Sequence, residues 1–392
     1  MEKRLYVWGS GGSGQLGLGT LDDYTLPQCR DTSQLSVQME SITSGGCHSA
    51  GIQTDGRLFL WGSDDRGQLG RIASKRGQNC VTVSREHVKC IPDESKAKLV
   101  ACGWWNTLAV VVSESHDNHG DRVFSWGSNE SPPIVYLPQG LQVASIACGW
   151  KHSLLATSAG DVFAWGSGRH GQLGLGSDTL VASMPQRIDT LKDMAVSNVF
   201  CGWEHSVFRS SGGEVFTCGN NRHGQLGVPE VVASASSENR NERRKQVNGS
   251  PVRVPDLGNS SKGLSTMQIS CGWHYVLCLT ERGDLVTWGK GSHGQLGLGQ
   301  FENAIEPKKI AFPHSVRQIA CGSEHSMVVT QSGDLYTCGW GEHGNLGHGD
   351  NTNRASLTKV AFFANNIQEV ISVVAGGAVS LAVTSTRHPS KN

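Results

Sequence analysis

The sequence predicts an all-β fold, a seven-bladed β-propeller that occupies residues 1–386 as one domain, followed by a short tail at 387–392. Two observations favour this fold. One short motif recurs seven times, and six copies are followed by a turn and a strand-like segment, which is typical of repeats that close into a ring. In addition, 50 of the 392 residues are glycine, which indicates many tight turns.

The recurring motif is an apolar strand, a glycine turn and a second strand, as in ACGWKHSLLA at residues 147–156. The lack of helical periodicity and the frequent branched and small residues predict antiparallel β structure. The first glycine of the turn lies at Gly45, Gly103, Gly149, Gly202, Gly272, Gly322 and Gly376. Each copy therefore predicts a hairpin, and seven copies predict seven blades.

A third strand completes each of the first six units. It follows a second tight turn and ends in Trp-Gly or Cys-Gly, with the closing residues Trp61, Trp126, Trp165, Cys218, Trp288 and Cys338. The seventh hairpin, residues 371–384, has no such strand after it, whereas an isolated strand at residues 5–8 opens the chain. We therefore expect the N-terminal strand to pair with the C-terminal hairpin and close the ring, because otherwise both would leave unpaired sheet edges.

A loop ending in GQLG follows most of these closures. It occupies residues 14–17, 67–70, 171–174, 224–227 and 294–297, with the variant GNLG at 344–347. We expect the leucine to pack between blades and the glycines to permit sharp backbone bends. After the Trp126 closure, residues 128–133 stand in place of this loop, which predicts an irregular junction there.

Two polar stretches, about 71–98 and 228–265, interrupt the repeat. The second contains a serine-rich run and the charged segment 238–245, a composition that cannot bury a core and predicts a loop. The sequence leaves two interpretations open, a tolerated insertion or an arm that binds a partner.

Histidine and cysteine also recur at fixed positions of the repeat. The histidines are His48, His152, His205 and His325, and the cysteines are Cys102, Cys148, Cys201, Cys271 and Cys321. Since each copy belongs to a different blade, they do not predict a catalytic or metal-binding cluster. We expect each histidine to form a hydrogen bond inside its own blade and each cysteine to be a buried packing residue, not a reactive thiol. No catalytic residue, metal ligand or cofactor is expected, and the protein is not expected to be an enzyme.

The two residues after the first turn glycine vary from unit to unit, which favours a binding role for them. In a ring, all these turns project from one face near the central channel, and tryptophan is the residue most enriched at binding hot spots. The alternatives are tryptophans that only cover the blade tips and ordinary solvated charges. The candidate partner-binding residues are Trp104, Trp105, Trp150, Lys151, Trp203, Glu204, Trp273, His274 and Glu324.

Charge and hydropathy exclude several other functions. Lysine plus arginine and aspartate plus glutamate both number 34, so no net field favours nucleic acid. No apolar stretch is long enough to span a bilayer, so membrane insertion is not expected. Twelve cysteines without a CxxC pair suit a reducing compartment, the cytoplasm or nucleus. We expect a monomer that acts on a protein partner.

The GQLG loop, the CGxxHS hairpin and the Trp-Gly closure together resemble the regulator of chromosome condensation repeat family, over nearly the whole chain. Residues 321–347 and 101–110 further resemble the subfamily of the secretion-regulating guanine nucleotide exchange factor and the yeast alpha-tubulin suppressor. The resemblance implies a seven-bladed propeller and a protein that exchanges the nucleotide of a small GTPase without covalent catalysis.

In the founding member of that family, acidic and histidine residues of the corresponding turns engage a Ran-type GTPase. Glu204 and Glu324 would then be the equivalent carboxylates here. The founding member's basic N-terminal tail has no counterpart in this sequence, so chromatin attachment is not expected.

Two other functions stay open. A scaffold or adaptor would use the same face without acting on a nucleotide. The plant ultraviolet-B photoreceptor of this family has a tryptophan-rich face built from GWRHT-like hairpins, with arginines beside the tryptophans. Here the adjacent residues are Trp105, Lys151, Glu204 and His274, and the absence of arginine disfavours light sensing.

Overall fold

A computed structural model describes residues 3–30, 39–71, 80–84, 91, 95–112, 120–127, 134–135, 137–138, 140–229, 247–255, 257 and 265–386. These residues form seven antiparallel sheets of four strands each, which confirms the predicted seven-bladed propeller. Two short helical elements lie within the described residues, a 3-10 turn at Asp189–Leu191 and an α-helix, α1, at Ala361–Asn365. None of the described helices is long and apolar enough to cross a membrane.

Numbered along the chain, the strands are β1 (Lys3–Gly9), β2 (Tyr24–Arg30), β3 (Met39–Ser44), β4 (His48–Gln53), β5 (Leu58–Gly62), β6 (Cys80–Ser84), β7 (Lys96–Cys102), β8 (Asn106–Val112), β9 (Arg122–Gly127), β10 (Ile134–Val135), β11 (Val143–Cys148), β12 (His152–Thr157), β13 (Val162–Ser167), β14 (Val181–Arg187), β15 (Val196–Cys201), β16 (His205–Ser210), β17 (Val215–Asn220), β18 (Val247–Arg253), β19 (Thr266–Cys271), β20 (Tyr275–Thr280), β21 (Leu285–Gly289), β22 (Ala304–Lys309), β23 (Val316–Cys321), β24 (His325–Thr330), β25 (Leu335–Gly339), β26 (Arg354–Lys359), β27 (Gln368–Ala375) and β28 (Val379–Thr386). Blade 1 is β3 to β6, blades 2 to 6 take the next strands four at a time, and blade 7 is β27, β28, β1 and β2.

The second strand of each blade is its most buried. In β12, β20 and β24 all six residues are buried, because neighbouring blades cover both faces of the sheet. Such strands appear in the sequence as continuous apolar runs, a pattern of sheets that are covered on both sides.

Every blade also has a fourth, outer strand that the three-strand interpretation of the repeat lacked. Of these strands, β14 and β22 are largely exposed, and each of the two contains a proline, which is found at the edges of sheets. In blade 4 the outer strand is β18, inside the stretch 228–265, and in blade 1 it is β6, inside the stretch 71–98. Part of each predicted insertion therefore belongs to a sheet. The charged segment 238–245, the tail 387–392 and the junction 128–133 lie outside the described residues.

The ring closes as the sequence predicted. Strand β1 pairs antiparallel with β28 from Lys3 opposite Ser385 to Gly9 opposite Val379. The N-terminal segment contributes β2 as well, so half of blade 7 comes from each end of the chain. This arrangement pairs both strand edges that a linear array of blades would leave open.

The GQLG leucines lie between blades, as predicted. Leu16 of blade 7 is 1% exposed and packs with Leu60 and Trp61 of blade 1. The glycines on either side, Gly14 and Gly17, have φ angles of 75° and 64°, in the left-handed region that glycine adopts without strain.

The backbone carbonyl of Gln15, the residue between Gly14 and Leu16, accepts hydrogen bonds from the adjacent blade. The indole Nε1 of Trp61 donates a hydrogen bond to the Gln15 carbonyl at 2.8 Å, and the Ser49 hydroxyl donates to the same oxygen at 3.4 Å. The same indole contact recurs for Trp126 with Gln68, Trp288 with Gln225 and Trp8 with Asn345. The Trp-Gly closure and the GQLG loop of the preceding blade therefore form one structural unit.

Three of the four repeated histidines, His48, His152 and His325, bond between blades, so the prediction of hydrogen bonds within a blade was wrong. His48 Nε2 lies 2.8 Å from the Thr107 hydroxyl of blade 2, and His152 Nε2 lies 3.0 Å from the Ser206 hydroxyl of blade 4. The fifth blade has Val276 at the equivalent position, so it offers His205 no hydroxyl. Spacing along the sequence gives the repeat of the histidine but not the direction in which its ring points.

The repeated cysteines behave as packing residues. Burial raises the pKa of the Cys148 thiol to about 12 and that of the Cys321 thiol to about 11, so neither is a thiolate near neutral pH. The ten cysteines whose side chains the structure describes are free thiols.

Candidate partner-binding face

One end of the propeller carries all the candidate residues. Antiparallel pairing places His152, which follows the glycine turn of blade 3, opposite Gly166, which begins the GQLG loop of the same blade. The glycine turns and the GQLG and GNLG loops therefore lie on the same side of the ring, which we call the turn face.

A ring of backbone hydrogen bonds joins the seven glycine turns around the central channel. In each turn an N–H group donates to a carbonyl of the next turn, and the last turn bonds back to the first. The bonds run from Gly46 to Gly103, Trp104 to Gly149, Trp150 to Trp203, Trp203 to Trp273, Trp273 to Ser323, Ser323 to Gly376 and Gly377 to Gly45, with lengths between 2.7 and 3.2 Å. Because this scaffold fixes the turns relative to one another, it also fixes the side chains that project from them.

Four tryptophans gather over the channel inside this ring. The Trp203 ring centroid lies 4.4 Å from that of Trp273, 4.9 Å from that of Trp104 and 5.0 Å from that of Trp150. Below them a narrow cavity of about 90 Å³ is lined by the turn glycines and cysteines. Trp104 meets Gly46, where a side chain would collide with the indole, so the small residues of blades 7 and 1 make room for the cluster.

Trp105 extends the cluster outward, and two cations lie against it. Its ring centroid is 6.0 Å from that of Trp150. The Arg66 guanidinium carbon lies 5.2 Å from the Trp105 ring, and Lys151 Nζ lies 5.4 Å from the same ring and 4.8 Å from that of Trp150. These are cation–π distances, and the arginine comes from the GQLG loop of blade 1, not from a glycine turn.

Glu204 is held by its own blade and the one before it. His170 Nε2 lies 3.0 Å from one carboxylate oxygen, and Asn220 Nδ2 donates to the other at 2.8 Å. Burial by itself would raise the pKa of Glu204, but the hydrogen bonds from His170 and Asn220 lower it below its usual value. Glu204 is therefore ionised near neutral pH and already paired.

The side chain of Glu324 is more deeply buried than that of Glu204 and is only 7% exposed. Lys290 Nζ donates to its Oε1 at 2.6 Å, and His293 Nδ1 lies 3.1 Å from Oε2. Gln295 donates to the same Oε2. The carboxylate binds together blades 5 and 6 at the surface of the turn face.

His274 packs against a second imidazole. Its ring centroid is 5.2 Å from that of His223 and 6.5 Å from that of Trp203. Burial lowers the pKa of both histidines, that of His223 to about 4, so this pair is neutral near pH 7.

The structure thus places all nine predicted residues on one face and brings the tryptophans into contact. It also adds residues that the sequence analysis missed, all from the loops that precede GQLG or GNLG. They are Arg66, Arg169, His170, Arg222, His223, Lys290, His293, Trp340 and His343. A histidine precedes GQLG or GNLG in four units, and this repeat was the signal available in the sequence.

Residues 4–382 match the RCC1-like domain. The chain belongs to the RCC1-like family. Its relatives include the Arabidopsis thaliana ultraviolet-B receptor UVR8, 30% identical over 77% of this chain and 76% of the receptor. The Mus musculus secretion-regulating guanine nucleotide exchange factor is 28% identical over 79% of this chain and 63% of that protein.

Other members of the RCC1-like family differ more in length or sequence. The match to the probable E3 ubiquitin-protein ligase HERC4 of Homo sapiens, 30% identical, covers 78% of this chain but only 27% of the ligase. The solved structure of Prp20p from Saccharomyces cerevisiae, described with its binding to Gsp1p and histones, superimposes with a TM-score of 0.83 at 22% identity, over 99% of this chain and 92% of Prp20p. This likeness confirms the fold of the RCC1-like propeller.

Proposed function

We propose that this RCC1-like propeller binds a small GTPase through its turn face and promotes exchange of the bound nucleotide. The observation that carries the proposal is the cluster of Trp104, Trp105, Trp150, Trp203 and Trp273, each half-buried, in mutual contact and fixed by a closed ring of backbone hydrogen bonds. A rigid aromatic surface loses little conformational entropy on binding, and tryptophan is a frequent anchor of protein interfaces.

Two relatives support the choice of partner. One is named as a guanine nucleotide exchange factor, and the Prp20p structure is described with its binding to Gsp1p. Exchange requires no covalent step, only tighter binding to the nucleotide-free state of the GTPase than to the loaded state. We expect a monomeric propeller, present in the cytoplasm or nucleus, to do this with no cofactor.

The carboxylates Glu204 and Glu324 contribute to the proposed site indirectly. Glu204 and Glu324 are each bonded to side chains of this chain, so we expect them to position His170 and Lys290 beside the tryptophans more than to reach for a partner. Any direct pairing with the GTPase would first have to break these bonds.

The test is an affinity purification of the tagged chain with a chelator present, because removing magnesium favours nucleotide-free GTPases. A GTPase that is retained in chelator and released by added GTP would then be loaded with fluorescent GDP, and its release rate measured with and without the propeller. Faster release supports exchange. A partner that binds the face but shows no change in release would instead support the scaffold or adaptor function.

The variant Trp203→Ala with Glu204→Lys should weaken this association by about 2–4 kcal/mol, as expected for an aromatic anchor and a reversed charge. Thermal melting should show that the propeller stays folded. The variant Arg243→Ala with Arg244→Ala, in the polar stretch 228–265, serves as the control and should keep normal binding. If the control loses binding and the face variant keeps it, the polar stretch is the binding site and the turn face is not.

A further inference from the structure

Several exposed cations of the turn face lack ion pairs, whereas Glu204 and Glu324 have them. The chain as a whole is balanced, with 34 basic and 34 acidic residues. The exposed cations Arg66, Lys151, Arg169 and Arg222 nevertheless form no ion pair within the described parts of the chain. These four cations of blades 1 to 4 therefore lack the ion pairs that Glu204 and Glu324 have.

Several acidic side chains of the same face already have partners within this chain. Besides Glu204 and Glu324, Asp23 contacts His343 at 2.6 Å, and Glu342 accepts a hydrogen bond from the Trp340 indole at 3.1 Å. Asp65, beside Arg66, accepts one from the Ser63 hydroxyl at 3.1 Å. By contrast, Arg66, Lys151, Arg169 and Arg222 have no carboxylate partner among the described residues.

We propose that Arg66 and Lys151, together with the indoles of Trp105 and Trp150, bind an acidic segment of a protein partner. The proposal rests on the proposed function of the turn face and adds the chemistry that the partner must present there. Both cations lie against the Trp105 ring, so carboxylates of a partner would meet both while its aliphatic atoms cover the indoles.

Carboxylates suit this patch for two physical reasons. A guanidinium binds a carboxylate through two parallel hydrogen bonds, and such charge-assisted bonds are stronger than neutral ones. The neighbouring tryptophans exclude water from one side, which strengthens the attraction. A nucleic acid would instead require a long basic track, whereas Asp22, Asp23 and Glu342 occupy the same face on blades 6 and 7.

The experiment uses the full chain and a fluorescein-labelled twelve-residue peptide of alternating glutamate and glycine. A peptide with glutamine for glutamate is the uncharged control, and a lysine version is the reversed one. Fluorescence anisotropy at 50 and 200 mM salt would measure affinity for the unchanged chain and for Arg66→Glu with Lys151→Glu. The matched control Lys192→Glu with Arg282→Glu reverses two exposed cations of loops at the other end of the propeller.

We expect the unchanged chain to bind the glutamate peptide at least tenfold more tightly than the glutamine peptide, with affinity falling as salt rises. The face variant should lose the glutamate peptide and gain affinity for the lysine peptide, while the matched control behaves as the unchanged chain. Equal loss in both variants, or no binding of the glutamate peptide at all, overturns the proposal. Tighter binding of a twelve-residue oligothymidine at the same patch overturns it too, because the patch would then prefer nucleic acid.

A second copy of this chain is a further possible occupant, and its binding would also contradict the proposal. Sedimentation of the unchanged chain and the face variant would show a dimer that only the unchanged chain forms. The failure of this inference is separable from that of the proposed function. If a GTPase binds and loses affinity with Trp203→Ala but not with Arg66→Glu and Lys151→Glu, the acidic-partner inference fails while the proposed function stands.

Discussion

At the scale of single residues, the four repeated histidines show how burial changes the pKa of a side chain. His48, His152, His205 and His325 are each no more than 1% exposed. Burial lowers the pKa of their imidazoles, to about 3 for His48 and His205 and to about 4 for His152 and His325. All four rings are therefore neutral in the folded protein over most of the accessible pH range.

These histidines predict a loss of stability in acid. In the unfolded chain a histidine binds its proton near pH 6.5, whereas the folded chain resists protonation until pH 3 to 4. Stability is thus fully present above pH 6.5 and declines as the pH falls toward 4. Each histidine contributes a slope of about 1.4 kcal/mol per pH unit, and melting temperatures between pH 4.5 and 7.5 would measure it.

The variant His325→Gln isolates one of the four contributions. Glutamine does not titrate but can still form hydrogen bonds. The slope of the unfolding free energy against pH should therefore fall by about 1.4 kcal/mol per pH unit, the contribution of one proton. A stability that stays constant between pH 6.5 and 4.5 in the unchanged chain would contradict the prediction.

At the scale of elements, strand β1 holds the ring closed. Leu5, Tyr6, Val7 and Trp8 are all buried between blades, and Trp8 donates a hydrogen bond to the Asn345 carbonyl of blade 6 at 2.9 Å. Each of these side chains contributes about 1.5–3 kcal/mol by burial. The strand also pairs along its whole length with β28.

Deleting residues 1–9 should therefore destabilise the whole propeller and not only blade 7. Its removal leaves β28 with an open edge and separates β2 from its only pairing partner among the described strands. We expect a fall of more than 10 °C in melting temperature, or aggregation, in thermal melts followed by circular dichroism. Deletion of the tail 387–392 is the control, and an unchanged melting temperature after the N-terminal deletion would refute the closure argument.

At the scale of the whole molecule, the relation to the ultraviolet-B receptor poses a question that the turn face can answer. The turn face of this chain is rich in tryptophan, but Lys151, Glu204 and His274 stand beside Trp150, Trp203 and Trp273 in the turns. Only Arg66 of a neighbouring loop stacks on an indole of the cluster in the described residues. A dense network of arginine salt bridges between two copies is therefore not expected.

We predict that ultraviolet-B irradiation leaves the oligomeric state unchanged. Size-exclusion chromatography before and after irradiation, with a heat-denatured sample to confirm the dose, would test this directly. A shift from dimer to monomer on irradiation would restore the photoreceptor function as the leading interpretation. The arginine content of the turns, not the number of tryptophans, is what the outcome depends on.

The sequence by itself determined the number of blades, the closure of the ring and the common face of the nine candidate residues. These properties follow from local patterns, because a hairpin, a tight turn and a closing Trp-Gly are each encoded within a few neighbouring residues, and repetition assigns equivalent positions. The outer strands escaped notice because, being largely exposed, they lack the apolar signal that identified the others.

Only the tertiary structure decided which partners the side chains have. His48 bonds to Thr107 across a blade boundary. Lys290 and His293 bond to the Glu324 carboxylate, and Arg66 contacts the Trp105 ring from a different blade. Each of these contacts joins residues about 30 to 60 positions apart along the chain. Such a distance carries no periodic signal, and the contact exists only because blade packing brings the two loops together. The unpaired cations of blades 1 to 4 have the same origin, since they depend on which charges the fold has already paired.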